Sequence, residues 1–213
     1  MMLSELEGKE LLAGYDIPVN EGHAACSAVE ASETSRHIGF PAVVKVLSEK
    51  IVHKSDQGLV ALNLCNPLDV GRAAEHILAK ARAIDPDANV VVEAMAVQGT
   101  EVIVGAKRDP QFGPTILFGL GGIFVEVFKD VSIRVAPVDK DMAMDMIRGI
   151  KGYAILKGIR GKKGVDLDAL ADILVKTSKL MMEQDKVMEL DLNPVMAYEN
   201  GAIAVDARAL LKE

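Results

Sequence analysis

GFPAVVKVLSEKIVHKSDQGLVALNL, residues 39–64, places a lysine inside an apolar strand and then a polar loop before a second strand. Alternation along FPAVVKV puts Lys45 on the same face as Val43 and Leu47. An ammonium among apolar neighbours needs an anion; a lysine snorkelling from an edge strand is the plainer alternative. The loop that follows gathers His53, Lys54, Ser55, Asp56 and Gly58 just before the next strand begins at Leu59. Backbone amides, a hydroxyl, a cation and an imidazole are thus offered together to one phosphate. An ordinary hairpin with a structural histidine is the alternative reading of this segment alone.

Around this stretch, helices and strands alternate. Ser4 with Glu7 and Ser27 with Glu30 have capping-box spacing, so a helix is expected after each. From about Asp69, the residues Val70, Ala73, Ala74, Ile77, Leu78, Ala81 and Ile84 mark one helical face, closed by Asp85-Pro86. Leu167, Leu170, Ile173, Leu174 and Met181 repeat that pattern. Strands are expected at 42–47, 59–64, 90–93, 101–106, 114–118, 133–138, 187–192 and 202–205. The fold class is therefore α/β (α+β), with a sheet in each half. AVQGT, residues 96–100, reads as a hinge that divides residues 1–213 into a first lobe of about 1–97 and a second of about 98–213. A ligand would lie in the cleft between the lobes.

Composition narrows the function. Half of the 213 residues are apolar, enough for a substantial core, but only 4% are aromatic and Trp is absent. That disfavours a stacking surface for single-stranded nucleic acid. With 24 Lys and Arg against 31 Asp and Glu, the net charge is −7, which disfavours nucleic acid and anionic membrane as partners. The first ten residues carry Glu5, Glu7, Lys9 and Glu10 in place of a basic start and an apolar stretch. No apolar run reaches membrane length, so a soluble, cytoplasmic chain is expected. Cys26 and Cys65 lack metal-ligand or redox spacing and are read as reduced core thiols.

Three further stretches carry candidate chemistry. In VVEAMAVQGTE, Glu93 ends one strand and Glu101 begins the next, so both acids border the hinge; surface acids are the plainer reading. ELDLNPV sets Glu189, Asp191 and Asn193 on one strand face and Leu190 and Leu192 on the other, with Asp206 following in AIAVD on a neighbouring strand. Oxygen ligands converging from paired strands suit Mg²⁺; a solvated face of an antiparallel sheet is the alternative of equal weight on pattern alone. FGLGG, residues 118–122, lacks the third glycine and the helix of a dinucleotide fingerprint. It reads instead as a turn whose amides a phosphorylated group can approach.

The ordered series ELEGKELLAGYDIPV, GFPAVVKV, IVHKSDQG, VVEAMAVQGTEVIVGAKRDPQFGP, FGLGGIFVEVFKDVSIRVAP and ELDLNPVMAYENGAIAVD resembles the ATP-grasp, or beta, subunit of ADP-forming acetyl-CoA synthetases, relatives of succinyl-CoA synthetase. The resemblance implies a two-lobed ATP-grasp fold holding ATP or ADP with Mg²⁺. It implies that Lys45 contacts the phosphates, that Glu93, Ala94 and Met95 border the base, and that Glu101 holds the ribose. Asn193 and Asp206 look like the magnesium ligands, with Asp191 a third. His53 looks like a histidine on a mobile loop that is phosphorylated in turn during catalysis, and Lys54, Ser55 and Gly58 of the same loop are expected to bind the nucleotide's phosphate.

The implied reaction is acyl-CoA plus ADP and phosphate going reversibly to acid, CoA and ATP. The CoA chemistry would sit on a separate alpha subunit, in an α2β2 heterotetramer. The family usually has a second glycine where this chain has Leu59; if that position required positive φ, Leu would cost roughly 1 kcal/mol or more. Two other readings compete: a stand-alone ATP-grasp ligase working through an acyl phosphate, and a regulatory module that binds ATP without turnover.

Overall fold

A computed structural model describes residues 1–48, 50, 51, 57–122, 130–159, 161 and 163–212. The chain divides into two compact units, residues 20–96 and residues 1–19 with 97–213.

The first unit is a four-stranded antiparallel sheet backed by two helices. After the N-terminal helix α1 (Glu5–Ala13), its elements are β1 (Gly22–Ala25), α2 (Ala28–Ile38), β2 (Ala42–Leu47), β3 (Val60–Leu64), α3 (Pro67–Ala81) and β4 (Asn89–Ala94), with strand order β1-β4-β2-β3. Ser27 caps α2 by accepting from the Glu30 amide, and Asn66 caps α3 by accepting from the Asp69 amide, with Pro67 in the first turn. Val44, Val46, Val90 and Val92 join Val70, Ala74 and Ile77 in one core. By strand alternation, Val43, Lys45, Val91 and Glu93 lie on the opposite face of the sheet.

The second unit holds a larger antiparallel sheet: β5 (Thr100–Asp109), β6 (Gly113–Leu120), β7 (Val131–Val135), β8 (Val187–Ala197), β9 (Ala202–Ala204) and β10 (Ala207–Leu211). The order is β10-β8-β5-β6-β7, and β9 continues beside β8. Helices α4 (Lys140–Gly149), α5 (Tyr153–Leu156) and α6 (Leu167–Glu183) supply Met146, Ile147, Leu156, Leu170 and Leu174 to a core shared with Val102, Val104, Phe118 and Leu192. Asp139 and Asp166 cap α4 and α6.

The N-terminal helix α1 (Glu5–Ala13), with its Ser4–Glu7 capping box, belongs to this second unit and not to the first lobe expected from sequence. Leu12 and Ile17 are buried in the second core, and the Leu3 amide donates to the Ala209 carbonyl at 2.9 Å. Gly8 permits the approach, since a Cβ there would stand 2.9 Å from the Ala207 carbonyl oxygen. These partners lie about two hundred residues away along the chain, where no local pattern points to them.

Other differences are local. The strand expected to reach Val138 stops at Val135, before Pro137, which has no N–H for the ladder. Cys26 and Cys65 are exposed free thiols, not core residues, because each lies between a strand and the residue that caps the next helix, Ser27 and Asn66. Among the described residues, no helix is long and apolar enough to cross a membrane.

Candidate functional site

The first unit builds one cluster around Lys45. Val43 is in register with Glu93, so Lys45 lies diagonally across from that carboxylate, on the face away from the helices. Its Nζ stands 2.8 Å from Glu93 Oε2, with side-chain exposures of 10% and 0%. Asn20 Nδ2 donates to the same oxygen at 3.2 Å and to the Ala94 carbonyl at 3.0 Å. Gly22 makes room for the glutamate: a Cβ there would come within 2.8 Å of Glu93 Cγ. Lys45 is therefore neither an edge-strand nor a snorkelling lysine. It is a buried cation held by a carboxylate.

The residues expected beside a base are partly committed. The Ala94 amide donates to Glu21 and the Met95 amide to Pro41, each at 3.0 Å. Met95 to Gly99 have no regular structure between β4 and β5. Asn20 was not singled out from sequence, since a lone Asn after Pro-Val reads as an ordinary turn residue. Its Oδ1 is buried and, among the described residues, unpaired.

His53, Lys54 and Ser55, like Asp56, lie outside the described residues. Gly58 has φ +64° and is exposed. Leu59 does not take positive φ: it is buried at 1% exposure in the core of the first unit, and its carbonyl accepts from the Val46 amide at 3.0 Å. The left-handed residue of this turn is Gly58, so leucine at position 59 carries no backbone strain.

The second unit builds another cluster on the outer face of its sheet. Leu190 and Leu192 point into the core, while Glu189, Asp191 and Asn193 are exposed on the other face. Val195 is again buried, three residues after Leu192, because β8 carries one residue more than β5 between Val102 and Val104. This bulge sets Asn193 and Pro194 outside the regular ladder. Asp206 follows the end of β9 rather than lying in the strand, in the bend between β9 and β10. Ala204 pairs with Val195 and Ala207 with Leu192, so Asp206 comes opposite Asn193; the Val205 amide donates to the Pro194 carbonyl at 2.9 Å.

Asp206 Oδ1 is buried and has no hydrogen-bond partner among the described residues. Leaving such an acceptor unmatched costs about 1–3 kcal/mol, which a bound cation would offset. Desolvation raises the pKa of Asp191; Arg208 opposes that shift and Asp206 adds to it, so the two carboxylates share one field. Among the described residues, no three His, Cys, Asp or Glu side chains are grouped closely enough to hold a metal. The donors Asp191, Asn193 and Asp206 are all oxygens. They fit a hard cation such as Mg²⁺, whose remaining positions would go to phosphate and water.

Glu101 is exposed at the start of β5, opposite Met196. Its carbonyl accepts from the Gly121 amide at 2.8 Å, and a Cβ at Gly121 would stand 2.8 Å from Glu101 Cβ. Gly121 thus serves close packing on Glu101, and its amide is not free for a phosphate as the glycine-rich turn had suggested.

A fold with two such sheets, one carrying a buried lysine and the other an oxygen-ligand cluster, is that of a nucleotide-handling enzyme, and the ATP-grasp domain model matches residues 1–211. The chain is 51% identical, over 212 residues, to the beta subunit of the ADP-forming acetate–CoA ligase I of Pyrococcus furiosus, covering 98% of this chain and 91% of that one. It is 46% identical to the ADP-forming acetate–CoA ligase I of Archaeoglobus fulgidus over 97% of this chain but 30% of that larger protein. The acetyl-coenzyme A synthetase 1 of Ca. Korarchaeum cryptofilum, solved with coenzyme A and Ca-AMPCP, superposes with a TM-score of 0.95 at 44% identity, covering 99% of this chain and 93% of that one. A second structure of that synthetase holds Mg-AMPPCP, with its phosphohistidine segment pointing towards the nucleotide binding site; its TM-score is 0.88 at 43% identity, with coverage of 99% and 93%. The chain belongs to the ATP-grasp family and, within it, to the beta subunits of ADP-forming acetate–CoA ligases.

Proposed function

We infer that this chain is the nucleotide-binding, phosphoryl-transferring subunit of an ADP-forming acyl-CoA synthetase. The reaction is acyl-CoA, ADP and phosphate to acid, CoA and ATP, reversibly. The observation that carries the reading is the unpaired, buried Asp206 carboxylate oxygen beside Asn193 and Asp191, in a chain that spans 91% of a curated beta subunit.

Lys45, held ready by Glu93, contacts the phosphates of ATP or ADP. Glu93, Ala94 and Met95 border the base, and Glu101 holds the ribose. Asn193 and Asp206, with Asp191, hold Mg²⁺, which when bound neutralises phosphate charge and orients the oxygens. His53 carries the phosphoryl group: a neutral imidazole nitrogen attacks phosphorus, and the resulting phosphohistidine later returns the group to ADP. Lys54, Ser55 and Gly58 accommodate that group on the loop.

The CoA chemistry belongs to a partner. That partner is a CoA-binding alpha subunit, in an α2β2 heterotetramer within the cytoplasm; the subunit-beta naming of the Pyrococcus relative and the match to only 30% of the larger Archaeoglobus ligase support a partner.

Co-purification from the source cell, followed by assay, tests this. The complex should make ATP from acetyl-CoA, ADP and phosphate, and the isolated chain should make no acyl-CoA. Robust acyl-CoA synthesis by the chain alone would instead establish a stand-alone ligase.

A further inference from the structure

The helical face of the first unit carries a pattern that its own packing does not use. β1 and β2 each pair antiparallel with β4, and β3 and β4 each pair antiparallel with β2. Helix α2 returns from β1 to β2 and α3 from β3 to β4, so the two helices run in opposite directions. Between them lies a groove of about 400 Å³. Ser32 and Gly71 mark one level along it: a Cβ at Gly71 would stand 3.6 Å from Ser32 Cβ and 3.4 Å from the Ala28 carbonyl oxygen. Those are ordinary contacts, so a side chain has room at position 71, and a glycine inside a helix costs stability relative to alanine. What the glycine does is keep the floor of the groove low.

Counted from Ser32 and from Gly71, the two helices match. Three positions before them stand Val29 and Leu68, with exposures of 69% and 61%. One position after them stand Glu33 and Arg72, and four positions after them stand Arg36 and Glu75. Spacings of three and four keep each set on one face of its helix, and all of them line the groove. The apolar position is kept while both charges are reversed. The four charged side chains are exposed, and among the described residues none of them is ion-paired.

A two-fold axis normal to this face, passing between Ser32 and Gly71, lays α2 of one copy along α3 of another. Equal offsets then coincide, and every contact is made twice, as an isologous interface requires. Charges of opposite sign at those offsets favour this register over its neighbours. An unrelated partner would give α3 no reason to repeat α2 with its signs exchanged.

We propose that two copies of this chain associate through the α2–α3 face, with Val29 against Leu68, Glu33 against Arg72 and Arg36 against Glu75 of the second copy. Lys45 and Glu93 lie on the opposite face of the sheet, so the association leaves that cluster untouched.

Sedimentation of the full chain over micromolar to submillimolar concentrations tests this. Wild type should show a monomer–dimer equilibrium. Arg36→Glu and Glu75→Arg each set like charges together twice per dimer and should weaken association by about 100-fold or more. Mixed in equal amounts, the two variants should associate within about threefold of wild type, because every pair in the mixed dimer is again of opposite sign. The double variant Arg36→Glu/Glu75→Arg should recover in the same way. Both positions are exposed, so the single variants should unfold at the thermal midpoint of wild type under conditions where wild type is monomeric. Wild type that stays monomeric at every concentration overturns the proposal. A dimer that either single variant leaves intact does so too, since it uses another face. So does a loss that neither the mixture nor the double variant restores, because positions 36 and 75 then do not meet.

Discussion

Lys45 and Glu93 form a buried ion pair inside the first unit, and the geometry sets what each substitution would do. Removing one partner strands the other charge in a site that water barely reaches, at a cost of about 3–5 kcal/mol. Lys45→Ala should lower the thermal midpoint and weaken nucleotide binding together; Lys45→Ala with Glu93→Gln should recover stability but not binding. Equal recovery of both, measured by denaturation and calorimetry, would remove Lys45 from the nucleotide site. Asp206→Ala should act in the opposite sense on the free protein. It deletes an unpaired buried oxygen, so stability without Mg²⁺ should hold or rise, while the stabilisation by MgADP is lost. Asn193→Ala should lose the same increment with less effect on the free protein. Much of this residue-level picture was legible: the strand period placed Lys45, Asp191 and Asn193 on their faces. Glu93 as the partner of Lys45 was not legible, because the strands β2 and β4 that pair them are separated by more than forty residues.

Among the elements, the helices whose caps carry capping-box spacing were legible, because capping side chains mark their own boundaries through local hydrogen bonds, as at Ser4 and Ser27; α4, opened by Asp139, was not read. Strands β1 and β10 were missed for a physical reason. GHAA is short and weakly β-forming, and ARALL has the composition of a helix; each is a strand because an existing edge offers it a ladder. The cap of α6 gives a pH prediction. The Asp166 carboxylate accepts from the Ala169 and Gly201 amides at 2.9 Å each, and these hold its pKa below the usual carboxylate value. A group whose folded pKa is depressed contributes its stability above the unfolded pKa, about 3.9, and loses it as pH falls through the lower folded value. Asp166→Asn should therefore remove part of the acid dependence of unfolding, and Asp166→Ala should cost about 1 kcal/mol near neutral pH. A denaturation midpoint unchanged by Asp166→Ala would show that the cap does not hold α6.

At the scale of the whole chain, residues 1–19 return to the unit formed by 97–213. Deleting them should raise amide exchange in β10 and β9, whose partners Leu3 and Val19 are lost, while β2 and β4 keep their protection. Uniform loss of protection in hydrogen-exchange mass spectrometry would mean that the two units unfold as one. For the intact chain, MgADP should raise the thermal midpoint, since a ligand of the folded state stabilises it by mass action; no shift at millimolar nucleotide would count against the nucleotide site. The sequence by itself determined the local terms: helix starts, strand faces, the class of fold and the residue types able to meet phosphate and a hard cation. These depend on side-chain period and on hydrogen bonds a few residues long. Only the tertiary structure decided that the N-terminal helix joins the second unit, that Leu59 is a core residue, and that the β8 bulge brings Asn193 opposite Asp206. It also decided that α2 and α3 run antiparallel, which sets their matched charges along one groove. Each of these depends on which distant strand supplies the pairing edge, and a strand's own residues do not name that partner.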